Sequence, residues 1–243
     1  MDATTQWSEL ADSLVGALHL ATSPVAITFS HDRPEGVAGF GAPLSEPAAD
    51  GRRGRVSAGC VFWVHGATST FSTAPEDHGN CSIGSVTHGL ARLEDVTGRD
   101  DVGALLESGW VSPDAVGGIP AVAARPGAIT YGPLRDTPAH VEPDVVLLRV
   151  NGRQLMVLAD ALPQMRIGGK PQCHVVALAK EEQVPAASVG CALSRARTGM
   201  TPDEMTCALP ARGLRATVEA VTRAAGTDTA VARYAAADAR RFA

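Results

Sequence analysis

The sequence predicts an α+β fold, a single mixed α/β domain closed by a C-terminal helical segment, and three observations support this reading. Apolar residues recur at helical spacing near the N-terminus, short continuous apolar runs further on suit buried strands, and residues 211–243 are rich in alanine and arginine with Leu214, Val218 and Val221 widely spaced. No fixed-period repeat and no sharp step in composition divides the chain, so residues 1–243 read as one domain. With 45% hydrophobic and 19% charged residues among 243, the chain has the balance of ordinary globular proteins and should fold.

In residues 4–20, Trp7, Leu10, Leu14 and Leu18 form one apolar stripe, with Thr4 or Thr5 able to cap an amphipathic helix. Pro24 ends that stretch, and residues 25–29 suit a short buried strand. Residues 32–54 carry Pro and Gly punctuation with little apolar periodicity and are expected to form an exposed loop. A short helix over 59–66, a strand over 69–73, a turn at 75–80 and a helix over 82–93 follow. Next come a helix near 101–108, a Pro/Gly-rich stretch, a strand at 128–131 and an apolar run at 145–150 suited to a central strand. Asn151 and Gly152 turn the chain into a helix over 154–162. Residues 175–179 read as a strand, 194–198 as the continuation of a turn after Gly190 and Cys191, and 207–209 as a strand before Pro210. The C-terminal helical segment is expected to break at Gly226.

A net charge of −5 argues against nucleic-acid binding, which needs an excess of Lys and Arg to neutralise phosphates. The apolar run at 145–150 is interrupted by Arg149 and then Arg153, far short of the roughly 20 residues of a membrane span. Asp2, Glu9 and Asp12 stand where a secretory signal carries basic residues, so a cytoplasmic location is expected. No GxGxxG, GxxxxGK(S/T) or GxSxG pattern supports a nucleotide site or a hydrolase elbow. A small molecule is the remaining partner class, with the oligomeric state open.

Five cysteines are too few and too odd in number for a disulfide framework, so reduced thiols, free or on a metal, are expected. The densest polar chemistry lies in Cys60, His65, Glu76, Asp77, His78, Cys81 and His88, an inventory of thiols and imidazoles competent for a metal centre. Neither Cys60 with Cys81 nor Cys173 with Cys191 forms the CxxC knuckle of a zinc site, and a buried structural thiol remains the alternative for each.

Five segments, taken in order, resemble the domain of unknown function 169 family, an uncharacterised bacterial and archaeal group also called ArCR. They are Ser23-Pro24-Val25-Ala26-Ile27, Gly59-Cys60-Val61-Phe62-Trp63, Asp77-His78-Gly79-Asn80-Cys81-Ser82-Ile83-Gly84, Pro143-Asp144-Val145-Val146-Leu147, and Ser188-Val189-Gly190-Cys191 followed by Arg195. The resemblance spans roughly residues 8–212 and implies recurring cysteines at Cys60, Cys81 and Cys191, with Cys173 a fourth; it implies no settled activity. On this footing Cys60, Cys81 and Cys191 are expected to converge.

The leading expectation is a metal-binding protein of small-molecule metabolism. It holds an iron-sulfur cluster, [4Fe-4S] favoured, through Cys60, Cys81, Cys173 and Cys191, with Cys207 structural. Were one of the four not a ligand, an open iron would bind substrate with His65 or His78 as the catalytic proton carrier. The runner-up is a cofactor-free thiol enzyme or small-molecule binding protein with Cys60 or Cys81 activated beside His78. A structural zinc or interaction module is the third reading.

Overall fold

The computed structural model describes residues 3–41, 58–123, 125–138 and 140–241. The chain is α+β, with seven strands joined in one mixed sheet. In chain order the elements are α1 (Ala3–Leu18), β1 (Val25–Ser30), α2 (Gly59–Gly66), β2 (Phe71–Thr73), α3 (Ser82–Thr87), α4 (Leu93–Val96), α5 (Asp100–Glu107) and α6 (Pro113–Gly117). They continue with β3 (Ala128–Pro133), β4 (Val145–Val150), α7 (Gly152–Ala161), β5 (Arg166–Gly168), α8 (His174–Glu181), β6 (Ala186–Ser188), α9 (Ala192–Thr198), β7 (Met205–Pro210) and α10 (Leu214–Ala239).

The strand order is β2-β3-β1-β4-β7-β6-β5, antiparallel at every step except the parallel pair β5 and β6. Strand β4 lies at the centre, and its unbroken apolar run has a direct cause. Successive side chains of a strand point to opposite faces, and both faces of this sheet are covered. Val145 and Leu147 enter one core with α2 and α8, whereas Val146, Leu148 and Val150 enter the other with α1, α7 and α10. No helix among the described residues is long and apolar enough to cross a membrane.

Several local expectations are corrected. Residues 175–179 form the middle of α8 rather than a strand: Val175, Val176, Ala177, Leu178 and Ala179 are all buried, so neither the helical nor the strand period shows in the pattern. Residues 194–198 belong to helix α9, not to a turn. The helix expected over 82–93 stops at Thr87, because Gly89 takes φ +72°, and the chain becomes helical again only at Leu93. Helix α10 runs through Gly226 without a break; tertiary and neighbouring helical propensity outweigh the roughly 1 kcal/mol that a helical glycine costs. Strands β5 and β6, three residues each, carry no alternation long enough to read.

Of the loop expected over 32–54, residues 42–54 lie outside the described residues. The described part is mostly exposed but anchored: Phe40 N donates to the Ser72 carbonyl at 2.7 Å, and the Phe40 ring packs against Phe62 and Phe71 at centroid distances of 4.8 and 5.1 Å.

Candidate cysteine site

Four of the five cysteines stand where helices begin. Cys60 is the second residue of α2, while Cys81, Cys173 and Cys191 immediately precede α3, α8 and α9. These helices lie on one side of the sheet, with α2 packed on α9 and on α3, and α3 packed on α8. Their starts meet around a single small cavity of about 30 Å³, and Cys60, Cys81, Cys173 and Cys191 all line it. Cys207 does not join them. It sits on β7 with its side chain in the opposite core, where burial pushes its thiol up to about 12.

Polar groups stand near the four sulfurs: the Ser194 hydroxyl near Cys60, the Thr87 hydroxyl near Cys173 and the Arg197 guanidinium near Cys81. Cys191 is approached by backbone N–H groups of Ser194, Leu193 and Gln172. The first two are the amides of the opening turn of α9, which have no partner within the helix. Arg197, from the end of the same helix, is fixed by donating to the Asn80 carbonyl at 2.9 Å.

Burial favours the thiol form of Cys60, Cys173 and Cys191. Burial, then the neighbouring Cys81, pushes Cys60 up to about 11, against the pull of Ser194 and Arg197. Burial and then Cys81 raise Cys173 well above the ordinary thiol range, with Thr87 opposing. Cys191 is raised as well, by burial first and then opposed by its backbone donors. Burial works against the Arg197 charge, yet pairing with Cys81, backed by Cys60 and Cys191, holds the guanidinium above its ordinary range. A shared cation reverses the repulsion between the sulfurs, since metal ions ionise the thiols that bind them.

His88 is the histidine that lines the cavity. Its Nδ1 donates to the Gly84 carbonyl at 2.8 Å, which fixes the tautomer and leaves a lone pair on Nε2; that atom is buried without a partner. Burial holds His88 neutral, down to about 4. The ring lies so close to the backbone that only glycine fits at position 59. Gln172 Nε2 donates to the Ser194 hydroxyl at 2.6 Å, and its Oε1 is also buried and unpartnered. Leu105 and Trp110 supply an apolar wall.

His65 and His78 lie behind this lining. His65 ends α2 with its ring 6.2 Å from that of Phe40. His78 is buried; its Nε2 is 2.9 Å from the Thr73 hydroxyl, which donates in turn to the Ile129 carbonyl, so Nε2 carries the proton. Burial, then proximity to His88, lowers His78 well below the usual imidazole range. The charged neighbour of Cys81 is therefore Arg197, not His78. Glu76 and Asp77 are outside the lining, and Asp77 accepts from the Ala74 N–H at 2.8 Å.

Sequence reasoning did not single out Arg197, Ser194, Thr87 or Gln172. The nearest signal was the Arg195 of the last resemblance segment, which clamps the Gly190-Cys191 turn by donating to the Val189 and Glu204 carbonyls at 2.9 and 2.8 Å.

Among the described residues, no group of three or more His, Cys, Asp or Glu side chains is arranged to hold a single metal ion. A single zinc ion with sulfur ligands at about 2.3 Å draws them onto one point. A four-iron cluster stands between its thiolates and takes them wider apart, and four cysteines are its usual ligand set. The residues present fit that group in kind: four thiols spread around one cavity, with no carboxylate among the described residues of its lining.

A family model described as DUF169, uncharacterised ArCR, matches residues 13–220. No curated protein and no solved structure matches the chain.

Proposed function

The chain belongs to the DUF169 family of uncharacterised ArCR proteins, and from that premise we propose that it holds an iron-sulfur cluster, [4Fe-4S] favoured, through Cys60, Cys81, Cys173 and Cys191. One observation carries the reading: four cysteines from distant segments line one cavity. Bound there, such a cluster supplies one-electron transfer or a Lewis-acidic iron. The chain's own residues set its surroundings. The backbone N–H groups that open α9 stabilise anionic sulfur, Arg197 offsets negative charge, and Leu105 and Trp110 exclude water. His88, with its bare Nε2 in the lining, takes the proton-carrying place first assigned to His65 or His78. A role in small-molecule metabolism in the cytoplasm, where thiols stay reduced, belongs to the same reading.

Anaerobic reconstitution with ferrous iron and sulfide tests it. The expected result is a visible absorption band with matching iron and acid-labile sulfide, lost in Cys60→Ser, Cys173→Ser and Cys191→Ser and kept in Cys207→Ser. A wild-type protein that takes up neither iron nor sulfide would overturn it. A cofactor-free thiol enzyme is the second reading, favoured by the contact of Arg197 with Cys81, and metal content separates the two.

A further inference from the structure

The two lysines of the chain stand in different settings. Lys180 pairs with Asp144 at 2.6 Å, whereas Lys170 lies over the Trp110 ring, its Nζ 4.8 Å from the centroid. Trp110 lines the cysteine cavity, and so does Pro171, the residue after Lys170. The lining residues that remain partly exposed, Cys81, Leu105, Trp110, Leu193 and Arg197, form its rim. Arg197 donates to the Asn80 carbonyl at 2.9 Å, and among the described residues neither it nor Lys170 has a carboxylate within 4 Å. Asp101, on the neighbouring α5, is turned instead to the Ser82 N–H and hydroxyl at 2.9 and 2.7 Å. In a chain of net charge −5, one cation on the rim and another over its tryptophan thus stand without a counter-charge. Behind the rim, Gln172 Oε1 and His88 Nε2 are buried without a hydrogen-bond partner, a state that polar atoms of a filled core seldom keep.

We propose that the rim of this cavity binds a small organic carboxylate, with Lys170 and Arg197 holding the carboxylate and Leu105, Trp110 and Leu193 covering its apolar body. This names the substrate class of the site described above. It rests on the reading of that site as one for a small molecule, and the identity of the metal does not enter. Charge sets the sign of the ligand: the guanidinium presents parallel donors to two carboxylate oxygens, and the ammonium adds a point charge. The apolar wall sets the rest, because each methylene it covers is worth about fourfold in affinity. Inorganic phosphate has the charge but nothing for the indole and the leucines to cover. A cavity of about 30 Å³ keeps the body of the ligand to a few carbons.

Titration of the purified full-length protein with acetate, propionate, propylamine and inorganic phosphate provides the test, followed by the indole N–H resonance of Trp110, assigned with Trp110→Phe. Propionate is expected to shift that resonance saturably and to bind about fourfold more tightly than acetate, while propylamine, with the same body and the opposite charge, leaves it unmoved. Lys170→Gln and Arg197→Gln should each weaken propionate roughly tenfold, and Arg197→Lys, which keeps the charge without the fork, should lose less. Arg223→Gln, an exposed arginine of α10, should bind as the wild type does. Lys170 is exposed, so its variant keeps the test open should Arg197→Gln fail to fold. No saturable shift with propionate, an equal response to propylamine, or an affinity unchanged in Lys170→Gln overturns the proposal; phosphate binding more tightly than propionate overturns the carboxylate class. Iron and sulfide uptake by the same wild type is measured separately. Propionate binding in a protein that takes up neither overturns the cluster reading and supports this one, and uptake of both without propionate binding does the reverse.

Discussion

Replacing Gly59 with alanine drives a methyl group into the ring that backs the cysteine pocket. An added Cβ stands 2.6 Å from His88 Cε1 and 3.0 Å from Nε2, inside van der Waals contact. The ring has no easy retreat: it is fully buried, tied to the Gly84 carbonyl at 2.8 Å, and packed near Phe29, Trp63 and His78 at centroid distances of 6.2, 6.0 and 5.7 Å. Overpacking of this kind costs about 1–3 kcal/mol. Straining the Gly84 hydrogen bond adds up to about 1 kcal/mol. The helix-propensity gain of alanine over glycine, at most about 1 kcal/mol, offsets part of this at the first residue of α2. A net loss of about 1–3 kcal/mol is expected, read as a lower urea midpoint with unchanged m. Gly16→Ala is the control. It sits exposed in α1 with nothing within 4 Å of the new methyl, and should stabilise by about 0.5–1 kcal/mol. In a His88→Ala background the Gly59→Ala penalty should vanish, a coupling of about 1–3 kcal/mol. An unchanged midpoint in Gly59→Ala, or the same loss with and without the His88 ring, would refute the assignment of this contact.

Stability should fall as pH drops from about 6.5 toward 4, because His78 and His88 stay neutral in the fold while their unfolded counterparts take up protons. Each depressed histidine contributes fully above the unfolded value and up to about 1.4 kcal/mol is lost per pH unit below it, until His88 itself protonates near 4. Urea midpoints from pH 4.5 to 7.5 should show a shallower slope for His88→Gln than for the wild type; equal slopes would exclude His88 as a source. Tyr131→Phe should be neutral within about 0.5 kcal/mol or slightly stabilising, since the hydroxyl it removes is buried without a hydrogen-bond partner; a thermal melt showing a loss above about 1.5 kcal/mol would reveal a partner. Asp144→Ala should cost about 2 kcal/mol by denaturant titration, because its carboxylate accepts from Lys180 Nζ at 2.6 Å and from the Phe29 N–H at 2.7 Å in a partly buried setting. No measurable loss would place that pair among ion pairs without net effect.

Where a segment's burial follows its sequence period, the fold was legible. The α1 stripe of Trp7, Leu10, Leu14 and Leu18 marks one buried face, and the unbroken run of β4 reads as a strand covered on both sides. The reading failed at α8, where burial on all sides erases the period. The break after Thr87 depends on the positive φ of Gly89, and glycine in a polar stretch does not announce which conformation it takes. At the site, the convergence of Cys60, Cys81 and Cys191 was anticipated through family resemblance and not through spacing. The polar groups around the cysteines were not. Ser194, Thr87 and Arg197 are ordinary residues until α9 and α3 are folded against the cysteines, so their significance is tertiary.

Because the cavity takes two of its cysteines from the chain before β3 and two from the chain after β4, it is a seam between distant stretches of one polypeptide. Any group bonded to both pairs acts as a cross-link, closing the loop of chain between Cys81 and Cys173 in the unfolded ensemble as well as in the native one. On the chain-entropy view, closing a loop on the order of 100 residues is worth about 4–5 kcal/mol, comparable to the net stability of a small domain. The empty protein and the filled one would then differ less in shape than in how their unfolding is distributed. Protease cutting near Asn80 and near Val189 is then expected to slow together once such a group is bound.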